Sequence, residues 1–359
     1  MHFPATTPQN SLIQANSDSE AVLAWLAEYA QRPATLRSYR KEAERFLLWL
    51  ASRGQTLASI KRGDVHDYRR FLAQPHPAAQ WIGPPLPRSH AQWRPFNGPL
   101  SEASIQHAFT ILGGLYSYLN HAGHLAGNPF RLHKPPRERS QPALERFLER
   151  DAWTHVCDTL AQLPDDSARA IAQRERALWV FSLLYMSGAR RSEASQAVMG
   201  DIFEKRGRWW WRVNGKTGLA DIPVSDALLA ALQRYRQHLG LPALPTPGET
   251  TPLIGKLAGS QAMQQGISDK ALYLIVKEVM QRAAERAEEP LRSTLQQAST
   301  HWLRHTAASH QLDAGLSLLM VSQNLRHRSI QTTRRYLHSE DDARHDAMQL
   351  LGLTPPGKT

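Results

Sequence analysis

From Glu20 to about Gly127, apolar residues recur at helical spacing. The segment SEAVLAWLAEYA sets Val22, Leu23, Leu26 and Tyr29 along one face. ATLRSYRKEAERFLLWLASRG follows, with Thr35 as the expected N-cap and Gly54 as the stop. Its apolar stripe is Leu36, Tyr39, Ala43, Phe46, Leu47 and Leu50, and its other face carries Arg37, Arg40, Lys41 and Arg45. KRGDVHDYRRFLAQ reads as a shorter helix, and SEASIQHAFTILGGLYSYLNHAG as a longer one capped by Ser101. Between them, residues 75–99 are so rich in Pro, Trp and Gly that a long loop is expected, because proline breaks regular elements. The pattern predicts a small helical bundle over 20–127, preceded by a loose polar arm at 1–19.

NPFRLHKPPRERSQP, residues 128–142, reads as a linker that Pro-Pro holds extended and that Arg131, Lys134, Arg137 and Arg139 make basic. A second domain is expected over 143–359. Helical periodicity places elements at 149–162, 167–186, 192–198, 225–239, 268–287, 299–314, 317–325, 329–336 and 340–351. RWWWRV and ADIPVS are strand-like, and NGKTG between them has hairpin-loop chemistry. Trp209–Trp211 are expected to alternate across the two faces of that sheet. Residues 240–266 read as a Pro- and Gly-rich loop. The fold class is therefore mainly α, with a small antiparallel sheet in the second domain.

Charge narrows the partner. Against 32 Asp and Glu stand 43 Lys and Arg, a formal net charge of +11, which favours a polyanion, nucleic acid before membrane. Cys157 is the sole cysteine, so one chain builds no disulfide framework or thiolate zinc site. The N-terminus lacks a signal-peptide layout, and no apolar run approaches the roughly 18–20 residues of a membrane span. A cytoplasmic protein is expected.

The stretch STHWLRHTAASHQL packs His301, Arg304, His305 and His310 into one helical segment with Leu303, Ala307, Ala308 and Leu312. Three readings compete: a metal site, a buried structural cluster, and a grip on an anion. His301 and His305 have the spacing of two zinc ligands, but Trp302 stands where a metalloprotease helix has Glu, and Arg304 would repel a cation. A buried cluster suits His305 or His310, yet Arg304 is costly to bury without a partner. An anion would satisfy all these groups. In MSGARRSEAS, Gly188 breaks an apolar helix just before Arg190 and a new helix start at Ser192 and Glu193, a good anion site. NGKTG holds Lys216, and NLRHRSIQTTRRYLHSE holds His327 with Tyr336 nine residues later.

Taken in order, Arg190, Lys216, His301, Arg304, His327 and Tyr336 resemble the tyrosine recombinase (phage integrase) family, over roughly residues 20–345. Arg191 is a neighbouring rival for the Arg190 role, and the family's spacing after Gly188 favours Arg190. The family usually shows glycine before the late histidine and leucine after Ser-Glu; here Arg326 and Ala194 stand there. The resemblance implies the DNA-breaking-rejoining fold, with a helical core-binding (SAM-like) domain before the catalytic domain. It implies a site-specific DNA recombinase that needs no metal and no cofactor. Tyr336 would attack the scissile phosphate of double-stranded DNA and form a 3′-phosphotyrosyl link. Arg190 and Arg304 would clamp the nonbridging oxygens with planar forks that Lys lacks. His301 would take the proton of a phenol whose ordinary pKa is about 10. Lys216 would protonate the leaving 5′-oxygen, His327 would donate to a phosphate oxygen, and His305 is left as structural.

A 5′-hydroxyl from another strand would reseal the link, exchanging strands through a Holliday junction in a tetramer. In the family a helix after the nucleophile docks on a neighbouring subunit, a role that falls here to 340–351. Only about 19 residues precede the first helix, so no separate arm-binding domain is expected, and a simple recombinase of a mobile element or chromosome is favoured. Two alternatives stand beside this reading: a monomeric type IB topoisomerase, and an architectural DNA-binding protein without the chemistry.

Overall fold

The computed structural model describes residues 11–132, 146–215, 218–257, 265–327 and 329–334. The chain divides into two compact units, Met1–Arg139 and Ser140–Thr359.

In the first unit, residues 11–17 differ from the loose arm expected there. The Leu12 N–H donates to the Ala122 carbonyl at 2.8 Å, and Ala15 is buried. Helix α1 (Asp18–Ala27) starts at Ser17, whose hydroxyl accepts from the Glu20 N–H. Its buried face is Val22, Trp25 and Leu26, whereas Leu23 is 59% exposed. Trp25 completes the i, i+3, i+4 set from which Leu23 lies off. Helix α2 (Pro33–Ser52) starts before Thr35, because Pro33 occupies the first turn, where its missing N–H costs nothing. Helix α3 (Arg62–Ala73), the single turn α4 (Ala78–Trp81) and α5 (Glu102–His121) follow. The Ser101 hydroxyl caps α5 by accepting from the Ser104 N–H.

Aromatic rings fill this core. Tyr68 meets Phe46 edge-on at 4.8 Å between centroids, and Phe130 meets Phe109 at 5.4 Å. The stretch 75–99 is more than a loop. Trp81 and Phe96 are buried against Phe71, at 4.8 and 5.7 Å. Its stem is closed by main-chain bonds from the Gly83 N–H to the Phe96 carbonyl and from the Phe96 N–H to the Trp81 carbonyl. That stretch also corrects the reading of Arg45. Arg37, Arg40 and Lys41 are exposed, but Arg45 is buried. Its Nε donates to the Pro95 carbonyl at 2.9 Å, its Nη1 to Glu42 Oε1 at 3.0 Å, and its guanidinium lies 4.5 Å over the Phe96 ring. Arg45 is thus a strut between α2 and the 75–99 stretch, and it leaves the candidate phosphate-contacting face.

The second unit begins with α6 (Arg150–Ala161), α7 (Ala168–Ser187) and the short α8 (Arg191–Gln196). An antiparallel sheet follows in the order β1 (Ile202–Lys205), β2 (Arg208–Gly215), β3 (Gly218–Pro223). Trp211 pairs with Ile202 on one side and Ile222 on the other, and all three are buried. Period-2 alternation sends Trp209, Trp211 and Val213 to the core and Trp210 to the opposite face, beside Lys205, Arg206 and Arg208. Then come α9 (Asp226–His238), α10 (Asp269–Glu285), α11 (Leu291–Gln297), α12 (Thr300–Asp313), α13 (Leu318–Asn324) and α14 (Gln331–Arg334).

The hydrophobic core of this unit gathers Trp179, Leu183, Trp211, Val276, Met280 and Leu303. Helix α12 departs from its sequence pattern, because every residue from Trp302 to His310 is buried. It runs through the interior, so its polar residues must find partners inside the fold. Among the described residues, no helix is long and apolar enough to cross a membrane.

Candidate active site

Gly188 closes α7 with φ +59° and ψ +22°. The left-handed conformation suits glycine, and space demands it too: an added Cβ would lie 2.6 Å from Leu325 Cδ2. The sharp turn leads through buried Ala189 to Arg190, the N-cap of α8. The Arg190 N–H donates to Glu193 Oε2 at 2.8 Å, and its Nη1 donates to Glu193 Oε1 at 2.8 Å. The carboxylate therefore fixes both ends of Arg190, and the guanidinium remains 32% exposed.

Glu193 itself is buried and serves a third donor, Arg326 Nη2, at 2.5 Å. Burial pushes its carboxyl up, but the Arg326 charge and the Arg190 bonds outweigh burial and hold it below the ordinary carboxylate value. The end of β2 leans on the same carboxylate. A Cβ at Gly215 would meet Glu193 Oε1 at 2.5 Å, so any larger residue there would push the carboxylate off its partners. Lys216 follows Gly215 and lies outside the described residues.

Arg304 is buried on α12 and donates to two main-chain carbonyls, from Nη1 to Gly188 at 2.5 Å and from Nη2 to Leu325. It joins the end of α7 to the end of α13. One turn earlier, His301 is exposed, with its ring edge-on to buried His305 at 4.3 Å between centroids. Arg190, His301 and Arg304 line one open cleft of about 490 Å³, together with Arg191, Asp269 and Tyr273.

The two adjacent arginines are separated by their partners. Arg191 Nε donates to Asp269 Oδ1 at 2.8 Å, and its guanidinium lies 5.4 Å from the Tyr273 ring centre. Arg190 instead joins the Glu193 cluster.

His327 is not part of the cleft lining. It follows Arg326, whose carbonyl accepts from Arg190 Nη2 at 3.4 Å. Its Nδ1 lies 2.7 Å from the Thr333 hydroxyl, and Thr333 is fully buried on α14. Tyr336 and the expected helix at 340–351 lie outside the described residues, as do Lys134, Arg137 and Arg139. Arg131 is exposed.

Sequence reasoning missed the Glu193 hub, Arg326 as its second cation, and Thr333. For Glu193 a signal existed: a carboxylate three residues into a helix start is half of a capping box. Nothing comparable marked Thr333.

Residues 154–343 match the family model described as the phage integrase family. The chain belongs to the phage integrase family. A tyrosine recombinase XerC of Oceanobacillus iheyensis is 26% identical over 317 residues, 88% of each chain. A tyrosine recombinase of Synechococcus elongatus is 29% identical over 343 residues, 90% of this chain and 89% of the other. Among solved structures, the XerH site-specific recombinase bound to palindromic difH substrate aligns with a TM-score of 0.63 at 16% identity, covering 94% of this chain and 85% of that one. The Tn1549 transposon integrase in complex with a circular intermediate DNA aligns at 0.63 and 13%, covering 93% and 99%. At these identities the structural likeness bears on the fold, which is that of the phage integrases. As a member of the family, the chain is a DNA strand-transferring enzyme of site-specific recombination.

Proposed function

We propose that this phage integrase family member cuts and rejoins double-stranded DNA through a covalent bond between Tyr336 and a 3′-phosphate. The Tyr336 oxygen attacks phosphorus, the bond to the 5′-oxygen breaks, and the phenolic proton passes to His301. Lys216 supplies a proton to the departing 5′-oxygen. Arg190 and Arg304 hold the nonbridging oxygens and bind more strongly as charge grows in the transition state. His327, which here lies against Thr333 outside the cleft lining, turns to donate to one of those oxygens when DNA is bound. The reverse attack by a 5′-hydroxyl reseals the strand and restores the phenol, so the bond energy is conserved.

One observation carries this reading. Arg190, His301 and Arg304, from distant parts of the sequence, line the same open cleft. Two guanidiniums and an imidazole lining one open cleft suit a phosphodiester, because they bring positive charge and a proton acceptor together. Exposed Arg37, Arg40, Lys41 and Arg131, with Lys134, Arg137 and Arg139 of the linker, neutralise backbone phosphates. The segment 340–351, helical by its sequence pattern, joins copies into a tetramer on DNA, and the enzyme works in the cytoplasm on chromosomal or mobile-element DNA.

A nicked duplex substrate tests the scheme, because loss of the short cut strand traps any covalent intermediate. Fragments flanking the gene supply candidate sites. Wild-type protein yields a protein–DNA adduct, and Tyr336→Phe yields none. An adduct of equal yield with Tyr336→Phe overturns the assignment, and relaxation of supercoils without pairing of two duplexes points to a topoisomerase instead.

A further inference from the structure

We infer that Arg326 is a positioning residue for Arg190, acting through the carboxylate of Glu193 and through its own main-chain oxygen. The inference rests on the role proposed for Arg190.

Three pieces of chain meet at Glu193: the start of α8, the end of β2 and the turn after α13. Arg326 supplies the turn's contribution twice. Its side chain, 5% exposed, places Nη2 2.5 Å from Glu193 Oε2. Its carbonyl accepts from Arg190 Nη2 at 3.4 Å. A third bond, from Nη1 to the Asn324 carbonyl at 2.9 Å, folds the side chain back over its own turn and aims it. One residue therefore touches both members of the Arg190–Glu193 pair.

The backbone at this point is unusual. Arg326 has φ +54°, a conformation that glycine adopts freely and a residue carrying a Cβ rarely does. A buried arginine in that conformation is doubly costly, in backbone strain and in desolvation. The Glu193 contact opposes the desolvation, although burial remains the larger influence on the guanidinium.

The charge count gives the functional reason. A carboxylate paired with Arg190 alone would neutralise the guanidinium meant for the phosphate. With Arg326 added, two cations share one anion, and the cluster keeps a net positive charge beside the cleft. Arg326 also keeps Glu193 ionised, so that its two oxygens remain acceptors for Arg190. Among the described residues, the charged groups that bear on Glu193 are Arg190, from the start of its own helix, and Arg326. Arg191 is engaged by Asp269 on α10, and β2 presents Gly215.

The test uses the full chain and the nicked duplex. Arg326→Gly removes the guanidinium while relaxing the backbone, so the variant is expected to fold. It should bind duplex DNA as wild type does and form adduct about tenfold or more slowly, as misplacement of a reacting group predicts. The acid limb of its rate–pH profile should move to higher pH, because Glu193 loses a cation and protonates more readily. Arg326→Lys, which keeps charge without the fork, should recover part of that shift. In a Glu193→Gln background, adding Arg326→Gly should change nothing further.

Wild-type rate and an unmoved acid limb in Arg326→Gly overturn the inference while leaving Tyr336 chemistry intact. So does a slowing of the same size in the Glu193→Gln background. A loss of thermal stability with no change in the pH profile assigns Arg326 to structure alone and overturns it too. Absence of adduct from the wild type strikes the catalytic reading itself, and this inference falls with it.

Discussion

The guanidinium of Arg304 donates from Nη1 to the carbonyl oxygen of Gly188, 2.5 Å away, and so ties the interior helix α12 to the left-handed residue that closes α7. The turn before Arg190 and the second arginine of the cleft are thus parts of one joint.

Gly188→Ala is expected to weaken the second unit by about 1–2 kcal/mol from the left-handed conformation, with more from the displaced Leu325 side chain. Gly114→Ala is its counterpart. Gly114 sits on an exposed face of α5 with open space around its Cβ position, and alanine there should stabilise by about 0.5–1 kcal/mol. Urea unfolding of both variants checks the two signs.

Arg236 is buried on α9, where Nη1 meets Glu249 Oε1 at 2.8 Å and Nε and Nη2 donate to the Pro242 and Leu244 carbonyls. Replacing it with methionine keeps volume but strands the carboxylate and two carbonyls. A loss of about 3 kcal/mol is expected from a broken buried pair, read as a lower unfolding midpoint. Adduct formation in the cold, where the variant stays folded, should be close to wild type, since Arg236 is not part of the cleft.

Two groups set acid sensitivity in separate windows. His310 is buried beside Tyr185, whose hydroxyl lies 2.9 Å from Nδ1. Burial, then Arg150, pushes it below its ordinary value of 6.5, with Asp313 opposing. The unfolded chain then binds the proton more readily than the folded one. Its contribution is full above pH 6.5 and is lost as pH falls through the lower folded value. Glu193 is also depressed, so its contribution is present above its ordinary 4.5 and lost only at more acid pH. His310→Gln should flatten the upper window and Glu193→Gln the lower, in unfolding midpoints measured from neutral pH downward.

The first unit predicts a salt dependence. Removing exposed Arg37, Arg40 or Lys41 should weaken duplex binding and lower the slope of log affinity against log salt by about one each. Arg45→Ala should leave that slope alone and lower the stability of the unit, because its guanidinium is spent on Glu42 and Pro95. Binding titrations at several salt concentrations separate the two outcomes.

What the sequence made legible was local. Apolar spacing located α7 and α10, and Ser101 announced the start of α5. The polar heptapeptide α11 buries only Leu295, so it showed no period to read. Helix α12 was legible as a helix but not as an interior one, since the partners of its polar residues come from remote segments. The same limit explains Arg45, whose cover is the 75–99 stretch, and Glu193, whose second cation lies 133 residues further on. Arg190, His301 and Arg304 were found because each sits in a recognisable local motif, and the cleft they share needed the fold.

The 75–99 excursion has one last implication. Its two ring anchors, the main-chain rungs at Gly83 and Phe96, and the ties from Arg45 to Pro95 and from Arg88 to Glu44 hold the neck and flanks, leaving the exposed tip at 89–92 as a peninsula beyond them. Its coastline is free to drift in length and wording among descendants of this protein, and a reporter sequence grafted there would leave the helical unit beneath undisturbed.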